Sequence, residues 1–196
     1  MRRPFARTMG TFALVFVAAL AGLTALWPHV APAYTSGVAT VARPVFRIVE
    51  SPNATVLDVQ GDELGVYRIV GEGQITPIVV FDRYLCFAVV PLIALFLATP
   101  ALGVRRRALR LAVALAGLFF VHVVYLVASI ELIYAVGAGA SVAGWQIAVR
   151  VFWEAAPILL WAAFTTSAWK RVLQDIRTQG TDESESLAAE PVGAEG

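Results

Sequence analysis

Cysteine is nearly absent: the 196-residue chain holds one, Cys86, together with two histidines, His29 and His122. A single cysteine excludes an intramolecular disulfide and any cysteine-based structural metal centre, and two histidines so far apart make a poor zinc set. No metal and no cofactor is therefore expected. Charge is also scarce, at 15% of residues, against about 25% in ordinary soluble domains. The net charge of +1 gives a nucleic-acid partner no electrostatic footing. What is abundant is apolar surface: 59% of residues are hydrophobic and the mean hydropathy is +0.74. It is gathered into long runs, the pattern of an integral membrane protein whose first partner is the lipid bilayer.

The runs predict an all-α membrane protein with four transmembrane helices and a small extracytoplasmic α+β insert after the first. A short arm, residues 1–8, precedes segment 9–27, which ends at Pro28 and is just long enough for about 30 Å of hydrocarbon. It admits two readings. One is an uncleaved anchor; the other is a signal peptide, with Ala31-Pro32-Ala33 as the small-residue site. The insert covers 28–77. Between Tyr34 and Glu50, Val38, Val41, Ala42, Val45, Ile48 and Val49 recur at helical spacing. That predicts an amphipathic helix on the membrane surface, bent at Pro44. From Ala54 to Val70, β-branched and aromatic residues flank a Gln60-Gly61-Asp62-Glu63 turn, which predicts a β-hairpin. Gly71-Glu72-Gly73 is expected to send the chain back to the bilayer. A lone hairpin is marginal in water, so it should lean on the helices or on another protein.

The later segments run 78–99, 109–136 and 145–169, with a basic loop at 100–108, a Gly/Ala turn at 137–144 and a tail, 170–196. The acidic, Ser-rich end of that tail, from Thr178, is expected to be disordered. Arg2, Arg3 and Arg7, then Arg105, Arg106, Arg107 and Arg110, then Lys170, Arg171 and Arg177 form three basic clusters. Four crossings put all three on one side, so both termini are expected in the cytoplasm. Trp27, Tyr84, Tyr134, Trp145 and Trp169 fall where interfacial aromatic rings belong.

Charged residues inside such segments are costly and need a reason. Asp82, Arg83, Glu131, Arg150 and Glu154 fall at similar shallow depth below the outer surface, and Arg150 and Glu154 share a helix face. They read either as ion pairs holding three helices together or as a binding site capped by the insert. His122 falls near mid-membrane, as a proton relay or as a hydrogen-bond donor to a neighbouring helix. Cys86 reads as a small apolar filler unless a nearby base activates it. Helical rise sets His122 about 8 Å deeper than Cys86, which is poor for direct pairing. Asn53-Ala54-Thr55 matches a glycosylation sequon, but the Arg/Ala-rich composition points to a bacterial chain, in which it would be idle.

The stretch RYLCFAVVPLIALFLATPALGVRRRALRL, residues 83–111, combines Pro91, an Ala98-Thr99-Pro100 exit and the Arg105–Arg107 run. It resembles small membrane proteins associated with bacterial exosortase systems, which sort tagged proteins to the cell envelope. The plan of an anchor, a short outer domain and three further helices is similar too. The resemblance implies an inner-membrane, multi-pass accessory protein whose membrane-protein partner contacts the 28–77 insert. It does not extend to the exosortase enzyme: Cys86 is followed by Phe87-Ala88 rather than small residues, and His122 is too deep. Two other functions stay open. One is a subunit of an oligomeric transporter or channel using Glu131, Arg150 and Glu154. The other is an intramembrane cysteine protease or transpeptidase using Cys86, Arg150 and His122.

Overall fold

The structure is a computed structural model that describes residues 2–50, 55–61, 63–70, 74–81, 85–100, 102–137 and 143–188. It is mostly helical, with one small antiparallel sheet. Three helices are long and apolar enough to cross a membrane, over Phe5–Val49, Val104–Val136 and Gly144–Gln174.

Helix α1 (Arg2–Val49) is unbroken over 48 residues although Pro28, Pro32 and Pro44 lie within it. The expected stop at Pro28 is not there. A proline removes one helix hydrogen bond and crowds the preceding turn, yet the residues after Pro28 continue a helical face that is buried. Ala31, Thr35, Val38, Ala39, Ala42 and Phe46 are all enclosed, and that packing outweighs the local loss. The expected surface helix is thus the second half of α1. Val38 and Ala42 turn into the core, whereas Val41, Ile48 and Val49 stay exposed.

Strands β1 (Thr55–Gln60) and β2 (Glu63–Val70) form the expected hairpin, with Gln60 paired to Glu63. Gly61 has φ 63°, the left-handed backbone that a tight hairpin turn requires and glycine supplies without strain. A third strand, β3 (Gln74–Phe81), extends the sheet in the order β1-β2-β3. Residues 78–81 therefore belong to the sheet and not to the second hydrophobic segment. The run Ile78-Val79-Val80-Phe81 is apolar in either role, and hydropathy alone does not separate a short strand from a helix start. Pro77 is tolerated because β3 is an edge strand. The expected return at 71–73 lies outside the described residues.

Helix α2 (Val89–Ala98) has only 10 residues, about 15 Å, so it is half a crossing. A turn at 85–88 leads into it, and it is packed against α1, α3 and α4. Pro91 stands in its first turn, where no helix hydrogen bond is lost. Helices α3 (Val104–Gly137) and α4 (Ala143–Ala188) contain the other two hydrophobic segments. Helix α4 continues to Ala188, through part of the tail expected to be disordered. Its Glu, Leu and Ala residues extend an existing helix, and propagation costs far less than nucleation.

At the arginine-bearing end, bonds between helices set the packing. Arg107 Nη2 donates to Thr99 O at 2.9 Å, and Trp161 Nε1 donates to Thr99 Oγ1 at 2.8 Å. Arg110 Nη1 donates to Phe164 O at 2.8 Å and to Ser167 Oγ at 3.2 Å. At the other end, Leu57, Leu64 and Val66 of the sheet are buried in the same core as α1, α2 and α3. Replacing Leu64 with Ala should leave a cavity where sheet meets helices and cost about 2–5 kcal/mol. Loss of thermal stability in detergent checks this.

Candidate functional site

The polar residues fall into three separate groups. The first lies where the sheet meets α1 and α3. Glu50, just past α1, accepts a hydrogen bond from Thr55 Oγ1 at 2.6 Å. Thr55 Oγ1 also lies 2.9 Å from Tyr134 Oη, and the Arg68 guanidinium sits 4.2 Å from the centre of the Tyr134 ring, a cation–π distance. Glu131 faces the Glu50 carboxyl and lies within the field of Arg68. One oxygen of each carboxyl, Glu50 Oε1 and Glu131 Oε1, is buried without a hydrogen-bond partner. Ionised carboxylates can only accept, so this junction depends on Arg68 for charge balance.

The second group is enclosed among α1, α3 and the turn before α2. His122 is fully buried, and its Nδ1 is 3.0 Å from Tyr34 Oη. Cys86 and Thr35, both buried, lie beside Tyr34, with the thiol within hydrogen-bonding reach of Thr35. Tyr34 thus contacts the histidine and is close enough to the cysteine for the two to interact electrostatically. The other imidazole nitrogen, Nε2, has no partner, and the Trp153 ring is 6.4 Å away. The partners found for His122 are aromatic and phenolic, with no carboxylate to make a relay. The arrangement supplies one hydrogen bond between α1 and α3, and the thiol is buried.

The third is the Arg150–Glu154 ion pair, Nε to Oε1 at 2.9 Å, with side chains 75% and 51% exposed. With Gln146 it forms an exposed ridge at four-residue spacing on α4. The structure does not join this pair to Glu131, because Glu131 turns toward α1 and the sheet while the pair turns away. Arg150 is likewise exposed, whereas Cys86 and His122 are buried. Asp82 and Arg83 lie outside the described residues. No cluster of metal-ligating side chains occurs among the described residues.

Tyr34, Thr35 and Glu50 carry no signal in the sequence as site residues, and Thr55 stands out there only as part of a glycosylation sequon. Tyr34 and His122 are 88 positions apart, and no periodicity links them. The stretch 34–50 did show which residues follow a helix, but its placement against α3 required the tertiary fold. Searches of family models, of curated proteins and of solved structures found no match to this chain.

Tyr34→Phe removes the partner of buried His122 Nδ1 and should cost about 1–3 kcal/mol. Arg150→Met, in an exposed pair, should leave the detergent melting temperature unchanged. Thermal unfolding of both variants under one condition checks the contrast.

Proposed function

We propose that this protein is a non-enzymatic accessory protein of the bacterial inner membrane, presenting its sheet to a membrane-protein partner. The observation that carries this reading is an apolar strip on the free face of the sheet, along β2 and β3, beside the polar Asp58, Gln60 and Glu63 on the same face near the β1–β2 turn. One face, through Leu57, Leu64 and Val66, is packed on the helices. The register places Tyr67 and Ile69 of β2 and Ile75 and Val80 of β3 on the opposite face, since Ile75 pairs with Ile69 and Val80 with Gly65. The irregularity between Val66 and Tyr67 preserves this alternation by leaving Ile78 as an extra residue on β3. Ile75 is 62% and Val80 58% exposed. An antiparallel sheet with one wet face normally alternates apolar and polar residues, and an apolar patch on the free face marks an interaction surface. Strand β3 is also a free edge, on which a partner strand can be added.

In this arrangement α1, α3 and α4 each cross the bilayer, and residues 85–98 complete a fourth crossing as a turn plus α2. The turn is non-helical backbone at membrane depth, which is admissible where protein encloses it. Leu85 and Cys86 are indeed buried. Both termini then lie with the arginines on the cytoplasmic side and the sheet lies outside. An exosortase-type sorting enzyme is the partner implied by the resemblance of residues 83–111.

The transport reading gains little, because Glu131 and the Arg150–Glu154 pair do not converge within one chain. The cysteine-enzyme reading lacks an accessible thiol.

The test is co-purification from native membranes in mild detergent, read by quantitative mass spectrometry. Ile75→Lys combined with Val80→Lys should lower recovery of the partner at least about tenfold, a loss of roughly 1.4 kcal/mol or more, at unchanged abundance. Cys86→Ala should leave recovery and sorting intact. Equal recovery with the double variant sinks the sheet-docking reading, and loss of sorting in Cys86→Ala returns the enzyme reading.

A further inference from the structure

A crevice of about 420 Å³ opens at the arginine-bearing end of the bundle, between the start of α1, the end of α2 and the start of α3. Arg7, Thr11, Phe12 and Val15 of α1 line one wall, and Leu97 and Arg107 line the others. Its chemistry changes along α1. Arg7 and Arg107 supply charge. Phe12, Val15 and Leu97 supply apolar surface, with Val15 about 12 Å along α1 from Arg7, and Val15 and Leu97 are themselves exposed. Thr11 Oγ1 already donates to Arg7 O at 3.0 Å, so the guanidiniums supply the charge-bearing donors. Arg107 uses Nη2 on Thr99 O and holds Nε buried without a partner.

No acidic side chain lines the crevice among the described residues. The sequence explains why: residues 2–49 and 84–130 contain neither Asp nor Glu. The two arginines therefore both line it without a countercharge from the walls. An anion is needed to balance them, and paired guanidiniums match phosphate oxygens in charge and geometry. A free phosphate would have no use for the apolar wall made by Phe12, Val15 and Leu97.

We propose that this crevice binds one anionic phospholipid, its phosphate between Arg7 and Arg107 and the start of an acyl chain along Phe12, Val15 and Leu97. The proposal rests on the membrane-spanning reading above, in which this end meets the cytoplasmic leaflet and its anionic headgroups.

The test is native mass spectrometry of the full chain in neutral detergent, titrated separately with phosphatidylglycerol, phosphatidylcholine and inorganic phosphate. One phosphatidylglycerol should be retained in preference to phosphatidylcholine. Arg7→Gln and Arg107→Gln should each weaken that retention about tenfold, the size of one charge-assisted hydrogen bond. Arg106→Gln, exposed and outside the crevice, should leave it unchanged. Arg107 also bonds Thr99, so exposed Arg7 is the variant that decides if Arg107→Gln misfolds. Equal retention of the two lipids, or equal loss in Arg7→Gln and Arg106→Gln, overturns the proposal. Retention of inorganic phosphate with no lipid overturns the lipid as the source of the phosphate. Partner recovery through the sheet is a separate readout, so failure here leaves that reading standing.

Discussion

Close approach to one face of α1 is the constraint on which the rest of the molecule depends. Between Ala31 and Phe46 the buried positions are mostly small or β-branched: Ala31, Thr35, Val38, Ala39 and Ala42. Small side chains let neighbouring backbones come near, and the gain is dispersion spread over many atom pairs. Helices α2 and α3 and strands β1 and β2 all contact α1. A bulky residue at Ala39 or Ala42 would push several elements apart at once. The same packing explains how α1 runs through three prolines, because neighbours hold the helix together where its own hydrogen bonds are interrupted.

Polar groups then lock the arrangement at separate levels. Thr99 gathers Arg107 and Trp161 at one end, and Arg110 ties α3 to α4 beside them. Tyr34 and His122 link α1 to α3 further along. At the sheet, Thr55 joins the end of α1 to Tyr134 of α3. A buried polar group without a partner is costly, so each of these pairs favours one register of the helices over its alternatives. His122 and Cys86 belong to this framework. Both side chains are fully buried within it.

The two ends of the molecule have opposite chemistry. One gathers arginine around a crevice lined by charged and apolar side chains together, which suits an amphiphile. The other carries a sheet whose free face has an apolar strip along β2 and β3, which suits a protein surface. A chain with this division can be held in the bilayer by one end while it offers the other. The exposed Arg150–Glu154 pair satisfies itself locally and plays no part in either end.

Hydropathy and charge, read along the sequence, determined the long apolar segments, the three arginine-rich clusters, the β1–β2 hairpin and its glycine turn. These are local properties: a run of apolar residues or a Gly61 between β-branched stretches has the same meaning wherever the chain goes. The sequence also picked out Glu131, Arg150, Glu154, Cys86 and His122 as residues needing an explanation. It did not show which would meet. Glu131 turns to Glu50 and Arg68, His122 meets Tyr34, Cys86 lies within reach of Thr35, and Arg150 keeps to Glu154. Tertiary structure alone decided that α1 passes unbroken through Pro28, that residues 74–81 form a third strand, and that α2 is a short buried helix. In each case a local penalty or ambiguity was resolved by what packs alongside: a buried face beyond Pro28, an edge position beside β2, and an enclosure around residues 85–98. Contacts between residues distant in the chain set those outcomes, and no local pattern encodes them.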